Sequence, residues 1–284
     1  MCRLYGFRST HPTRVECSLV AAQNALSVQS AVDGRGLSNG DGWGIASYSS
    51  PEPTIHKRAG AAHLDLAFRA AASSVSSTTL MAHVRSATVG HRRDANAHPF
   101  GHGPWTFPHN GTLTALDHVG PRLEAETAGH LLGGRHGDTD SELIFLWLLS
   151  RMPAYGLHPC RPGQDAGALV ALMADGVTRL AELAQRSGAD RPAQLNFLMS
   201  DGPHLAASRW GNTLYWAERT AISDCAICGQ LHTPDRFDTY RAVVVASEPI
   251  TDELWREIPE GSIISVGADL GVHVHDLLRP VRAA

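Results

Sequence analysis

The chain predicts an α+β fold in which two antiparallel sheets lie between layers of helices. Two observations carry this. Strand-like segments come first, two long helices follow and strands then return, so the βαβ alternation of a doubly wound parallel sheet does not dominate. The first long helix is also apolar nearly all round its circumference, which suits a helix buried between layers.

Cys2 to Phe7 reads as a short strand beginning at the terminus itself, and Val15 to Val32 carries a mixed apolar pattern suited to a helix. The turn-rich stretch from Ser38 to Trp43 leads into a strand at Gly44 to Tyr48, which a strand at Thr54 to Lys57 can pair. Ala61 to Ala72 looks helical, while Thr79 to Arg85 and Trp105 to His109 read as strands. Thr139, Asp140, Ser141 and Glu142 form a Thr-x-x-Glu capping box ahead of the apolar helix, which runs to about Met152. The Pro/Gly-rich stretch Met152 to Gly167 reads as a loop, and Asp165 to Arg186 continues as a second long helix. Strands are then expected at Leu195 to Met199, Leu205 to Trp210, Thr213 to Ala217, Ala242 to Ala246 and Ser262 to Val266. No internal repeat and no long linker forces a cut, so residues 1–284 are expected to form one domain.

A net charge of −4 argues against a dedicated binder of nucleic acid or anionic membrane, which would carry a basic excess. The longest apolar runs, Leu143 to Leu149 and Ala242 to Ala246, fall far short of the roughly 20 residues that span a bilayer. Cys2, Arg3 and Arg8 come too early for an apolar signal core, so a cytoplasmic location is expected. The five cysteines, at positions 2, 17, 160, 225 and 228, are an odd set that does not read as a disulfide framework.

Four local signals bear on chemistry, and each has an ordinary structural reading beside it. A cysteine at position 2 is small enough for Met1 to be clipped. The terminal residue then owns both a thiol, with a pKa of about 8.5, and an α-amine, at about 7.7–8.0, so nucleophile and base come from one residue. Arg85, in His83-Val84-Arg85-Ser86-Ala87-Thr88 at the end of a strand, is either a surface cation or a guanidinium fork for a carboxylate. Asn110-Gly111, after His109, is either a plain tight turn or an amide and an unobstructed N–H placed for an oxyanion. Asp140 in the first helical turn is either stabilised by the helix dipole or a counter-ion for a substrate ammonium.

Taken together and in this order, the motifs resemble the class II glutamine amidotransferases. The match runs through Cys2 to Gly6, Asp41-Gly42-Trp43-Gly44, His83 to Thr88, Asn96-Ala97-His98-Pro99-Phe100, His109-Asn110-Gly111 and Asp138 to Glu142. Ala246-Ser247-Glu248-Pro249, Trp255 and the turn Ile258 to Gly261 are similar to the C-terminal segment of short stand-alone members, including the ergothioneine-pathway amidohydrolase. The resemblance implies the four-layer αββα N-terminal-nucleophile sandwich. It also implies Cys2 as nucleophile, Asn110 and Gly111 as oxyanion donors, Arg85 with Thr88 on the substrate α-carboxylate and Asp140 on its α-ammonium. His98 lies in a matching motif and is carried over on the substrate side, with support of its own loop as the ordinary alternative. Members that form sugar phosphates carry tryptophan after the arginine, where this chain has Ser86.

Two uses of the chemistry follow from the resemblance. One is free-standing hydrolysis of a γ-glutamyl conjugate or glutamine, which needs only the small-molecule substrate. The other is a glutaminase subunit feeding ammonia to a separate synthase partner. A reading from another class is an inactive regulatory or binding module. No cofactor and no metal is expected. Cys225-x-x-Cys228 with His232 four residues on lacks a visible fourth zinc ligand, so the two cysteines read as unpaired thiols in a loop. Cys17 is expected to pack in a helix, and Cys160 shows no partner.

Overall fold

The computed structural model describes residues 2–220, 225–233 and 239–277. Its strands in chain order are β1 (Arg3–Arg14), β2 (Gly42–Ser47), β3 (Thr54–Arg58), β4 (Ser76–Arg85), β5 (Phe100–His102), β6 (Trp105–Phe107), β7 (His109–Thr112), β8 (Gln194–Ser200), β9 (Leu205–Arg209), β10 (Tyr215–Arg219), β11 (Ala242–Ala246), β12 (Arg256–Glu257), β13 (Ser262–Val266) and β14 (Val272–Asp276). The α-helices are α1 (Leu26–Ala31), α2 (Leu66–Ser74), α3 (Leu116–Glu126), α4 (Gly129–Leu132), α5 (Asp140–Arg151) and α6 (Ala166–Arg186). One antiparallel sheet has the order β12-β10-β11-β1-β4-β2-β3. The other runs β14-β13-β9-β8-β6-β5, with β7 also paired to β8.

Side chains alternate across a strand, and here each face of the first sheet meets a different layer. Tyr5 and Phe7 of β1 pack outward with Leu19, Leu26 and Phe68, while Leu4 joins Met81, Leu198 and Leu205 between the sheets. β11 divides likewise: Val244 goes to the helix side, Val243 and Val245 to the sheet–sheet core. Burial on both faces is why Ala242 to Ala246 reads as an unbroken apolar run. Beyond the second sheet, Phe107 and Phe197 pack with Phe145, Trp147 and Leu180 of α5 and α6. The layers are therefore helix, sheet, sheet, helix. Gly44 permits a close approach in the first sheet, since a Cβ there would stand 2.2 Å from the carbonyl oxygen of His98.

The structure departs from the sequence pattern in specific places. The helix expected over Val15 to Val32 is broken into a π-helical turn at Cys17–Ala21 and α1. Asn24, between them, donates through Nδ2 to the carbonyl of Pro249 at 2.7 Å, so tertiary pairing overrides local propensity. The helix expected from Ala61 starts at Leu66, because the Asp65 carboxylate caps it by accepting from the Ala67 N–H at 2.9 Å. The strand expected over Trp105 to His109 is interrupted at Pro108, which has no N–H to give a ladder. The helix α3 carries Gly120 and Pro121 in its middle, which hides it from a propensity reading.

Thr139 caps α5 as expected, accepting the Glu142 N–H at 3.1 Å. The reciprocal half of the capping box is absent: the Glu142 carboxylate accepts instead from the N–H groups of His136 and Gly137.

Candidate active site

Antiparallel pairing of β1 with β4 sets Arg3 opposite Val84, so the residue before β1 meets the residues that follow β4. Cys2 is that residue. Its side chain is buried, and Sγ accepts from the Ser86 N–H at 3.4 Å. Burial pushes the thiol pKa up; the Ser86 hydrogen bond and the Arg85 charge pull it down, and Asp140 raises it. The thiol is thus fixed against the residue that follows Arg85 and feels charges of both signs.

The backbone of Cys2 is fixed by its neighbour. The buried Arg3 guanidinium pairs with Asp33 at 2.7 Å and Glu248 at 2.6 Å, and donates to the Cys2 carbonyl at 3.0 Å. Asp33 in turn accepts from the N–H groups of Arg35 and Leu37, and Glu248 from that of Gly34. A buried charge cluster is tolerated only when its remaining lone pairs are filled in this way.

Asn110 and Gly111 lie on β7, opposite Asn196 and Leu195 of β8. The Asn110 amide nitrogen reaches the Ser247 hydroxyl oxygen at 3.2 Å, and that oxygen also accepts the Leu4 N–H at 2.9 Å. Ser247 therefore ties β7 to the strand that carries Cys2. The Asn110 Oδ1 is buried without a partner among the described residues. Turning the amide over gives that oxygen the Ser247 hydroxyl proton and leaves both Nδ2 protons uncommitted. Gly111 admits no side chain: a Cβ would stand 1.8 Å from the Gln194 carbonyl oxygen.

Asp140 is 3% exposed at the N-terminus of α5. Its Oδ2 accepts from the Leu113 N–H at 2.7 Å and its Oδ1 from the Ser141 N–H at 2.8 Å. These donors are neutral. Among the described residues no lysine, arginine or histidine forms an ion pair with it.

Arg85 is also buried, but its fork is occupied. Nη1 donates to the carbonyl of His91 at 3.1 Å, and Nη2 to those of Val89 at 2.7 Å and Gly90 at 3.3 Å. The loop after β4 thus folds back over the end of its own strand. Thr88 within that loop is exposed and shares a hydrogen bond with Thr112 of β7 at 2.8 Å. The loop is latched at its far side, where Asp138 meets His91 at 2.6 Å and Arg93 at 3.3 Å, and also takes a hydrogen bond from Asn96. The His91 hydrogen bond, then those of Asn96 and the Arg93 charge, hold the Asp138 carboxyl well below the usual range.

His98 is buried between His83, with ring centroids 4.3 Å apart, and Phe100 at 4.6 Å. Neither ring nitrogen has a hydrogen-bond partner among the described residues, and burial holds its pKa well below the ordinary value. His109 is a support: Nε2 donates to the Gln194 carbonyl at 2.8 Å, and Nδ1 meets the Ser141 hydroxyl at 2.9 Å. That hydroxyl adjoins Asp140, so β7 and the start of α5 are held together.

Residues 1–275 match the family model of the glutamine amidotransferases class-II. The chain belongs to that family. It is 30% identical, over 274 residues, to the gamma-glutamyl-hercynylcysteine sulfoxide hydrolase of Mycolicibacterium smegmatis, spanning 94% of this chain and 96% of the relative. The Mycobacterium tuberculosis protein of the same name is 28% identical over 272 residues, 94% and 93% of the two chains. A solved glutamine aminotransferase class-II domain protein from Silicibacter pomeroyi superposes with a TM-score of 0.65 at 24% identity, over 98% of this chain and 100% of that one. The glutamine phosphoribosylpyrophosphate amidotransferase of B. subtilis superposes with a TM-score of 0.57 at 18% identity, over 97% of this chain and 49% of that one. The fold is the αββα N-terminal-nucleophile sandwich, and the class II glutamine amidotransferases are amidohydrolase enzymes.

The sequence motifs thus converge in space: Cys2, Arg85, Asn110, Gly111 and Asp140 gather where β1, β4, β7 and α5 end or begin. His98 lies beside them, and Thr88 on the covering loop. The sequence reading missed the supports, namely Arg3 with Asp33 and Glu248, and Ser247. The early signals for them were Arg3 within the Cys2 to Gly6 motif and the Ser247-Glu248 pair after β11.

Proposed function

We propose that this chain is a free-standing amidohydrolase that cleaves the γ-amide bond of a γ-glutamyl compound, with Cys2 as nucleophile. One observation carries the reading: Cys2 Sγ accepts the N–H of Ser86, the residue after the buried Arg85, and the buried Asp140 carboxylate accepts only from neutral donors and has no ion-pair partner among the described residues. A γ-glutamyl group brings the complementary pair, an α-carboxylate and an α-ammonium. An ordinary peptide has both tied up in bonds and would leave Arg85 and Asp140 unmatched, which is costly when both are buried. The relatives named as hydrolases act on a γ-glutamyl conjugate and align over nearly their whole length, which favours free-standing hydrolysis.

The mechanism needs Met1 removed; Met1 lies outside the described residues. The freed α-amine takes the thiol proton, and the thiolate attacks the γ-carbonyl carbon. The Asn110 amide and the Gly111 N–H stabilise the oxyanion. The α-ammonium returns its proton to the leaving amine, which departs with an acyl-thioester left on Cys2. Water, activated by the same amine, then releases glutamate and restores the thiol. Arg85 holds the α-carboxylate with Thr88 beside it, once the loop carbonyls of Val89 to His91 give up the fork. Asp140 takes the α-ammonium into the place where it meets only neutral donors.

The test is glutamate release by the Met1-free protein, comparing glutamine with a panel of γ-glutamyl amides at equal concentration. Faster release from a conjugate supports the proposal. Release from glutamine alone points to a glutaminase subunit that works with a synthase. No release from any of them, with intact mass proving Met1 absent, would overturn the amidohydrolase reading.

A further inference from the structure

Far from the site above, the fold assembles a second cluster. The segment 225–233 lies in the connection between β10 and β11, and Cys17 opens the π-helical turn that follows β1. The Sγ atoms of Cys17, Cys225 and Cys228 and a ring nitrogen of His232 all lie within 4.8 Å of one another. Cys228 Sγ and His232 Nε2 are 3.2 Å apart. The sequence supplied two thiols and an imidazole; the fold brings the missing fourth donor from the opposite end of the chain.

We propose that Cys17, Cys225, Cys228 and His232 bind one Zn2+ in a tetrahedral site that fastens the 225–233 loop to the turn after β1. Zinc–sulfur bonds of about 2.3 Å and a zinc–nitrogen bond of about 2.0–2.1 Å put tetrahedral donors roughly 3.5–3.8 Å apart. The cluster is already near that spacing, so modest side-chain shifts complete it. Three soft thiolates and an imidazole select zinc over oxygen-seeking calcium or magnesium. Four protein donors fill the shell and leave no position for a reactive water, so the role is structural.

The local backbone is built for thiolates. The Ile227 N–H donates to Cys225 Sγ at 3.4 Å, and the Cys228 N–H also bonds that sulfur. The turn is closed by the Gly229 N–H on the Cys225 carbonyl at 2.7 Å, with Gly229 at a φ of +68° that glycine adopts without strain. His232 is held in place through its carbonyl, which accepts the Arg14 N–H at 2.7 Å at the end of β1. Cys17 is buried, Cys225 and His232 are half-buried, and Cys228 is exposed. On binding, the three thiols release their protons and the imidazole coordinates in its neutral form.

The cluster follows the far end of the strand that begins beside Cys2. Measured along the partner strand β4, on which Arg3 lies opposite Val84 and Arg14 opposite Ser76, the two ends of β1 are about 26 Å apart at roughly 3.3 Å per residue. Loss of the metal should therefore be read in stability, with the chemistry at Cys2 unaffected in the protein that remains folded.

The experiment is metal analysis of the full-length protein purified without chelator, together with Co2+ titration of the chelator-stripped protein. One equivalent of zinc per chain is expected, lost in Cys17→Ser and Cys228→Ser and kept in Cys160→Ser, whose cysteine is exposed and outside the cluster. Cobalt should give the visible absorption bands of a tetrahedral thiolate complex in the wild-type protein. That spectrum tests the site even if the cysteine variants fail to fold. Stripping the metal should lower the thermal midpoint by several degrees. Zinc-free protein with no cobalt spectrum, a stoichiometric metal other than zinc, or a Cys225–Cys228 disulfide two mass units lighter would each overturn the proposal.

Discussion

At Asp140 two demands meet. The side chain takes the Ser141 N–H in the first turn of its own helix, which any acid there could do, and also the Leu113 N–H from just past the end of β7. It is also buried with no cation beside it among the described residues, and a structural role does not require that. The ammonium assignment makes a double comparison decisive. Wild-type enzyme should prefer a γ-glutamyl amide over its analogue lacking the α-amine by ~10²–10⁴ in kcat/KM, and Asp140→Asn should erase most of that preference. Equal discrimination in wild type and variant would rule the assignment out. Asn110→Ala should lower kcat by about 10²–10³ with KM little changed, as expected for loss of one oxyanion donor. A fall confined to KM would instead make Asn110 a binding residue. Cys2→Ala should leave no turnover, and residual steady-state glutamate release would remove it as nucleophile. Cys2, Asn110, Gly111 and Asp140 could be picked out as candidates because each sits in a short motif, although each motif alone kept its ordinary reading and only their order along the chain pointed to one chemistry. Ser247 was not, because its meaning lies in a hydrogen bond to Leu4 from the other end of the chain.

At the scale of elements, the strand β1 does more than its sequence announces. It was expected to end near Phe7, yet it continues to Arg14, with an irregularity in its register between Arg8 and Thr13. The lengthening is a tertiary effect, since β4 and β11 offer it ladders on both sides. The same reason broke the helix over Val15 to Val32, where Asn24 is drawn to the Pro249 carbonyl. Strands buried on both faces, such as β11, were read with the right bounds because burial writes a continuous apolar run. The start of β1 is held by Arg3, so removing its charge should loosen both fold and site. Arg3→Met leaves the buried Asp33 and the half-buried Glu248 without their arginine, and should cost about 3–5 kcal/mol of unfolding free energy. Urea denaturation measures it directly. A loss under ~1 kcal/mol, in the range of surface ion pairs, would mean that the cluster does not hold the strand.

Across the whole molecule, the space around the site is lined by imidazoles that the fold keeps uncharged. Burial holds His83 down to about 3, against the opposing hydrogen bond to the His109 carbonyl and with the Arg85 charge adding to the lowering. It also lowers His98 far below its ordinary value and lowers His109. The sequence showed these histidines inside motifs but could not show that the face-to-face sheets would desolvate them, because that depends on strands from both halves of the chain. Their consequence is a pH dependence of stability with a definite sign. In the unfolded chain each titrates near 6.5, so between that pH and the folded value the unfolded state binds more protons. Stability is then full above about pH 6.5 and is lost as the pH falls, by up to ~1.4 kcal/mol per pH unit for each such histidine. Unfolding free energy at pH 7.5, 6.5 and 5.5 should fall in that order, in a window above the range where the carboxylates begin to protonate. His98→Leu gives the sharper form of the test. Its ring nitrogens have no partner, so the variant should be no less stable than wild type at pH 7.5, and its slope below pH 6.5 should be shallower by one histidine's share. An unchanged slope would mean that His98 is protonated in the folded protein, and the uncharged lining would have to be abandoned.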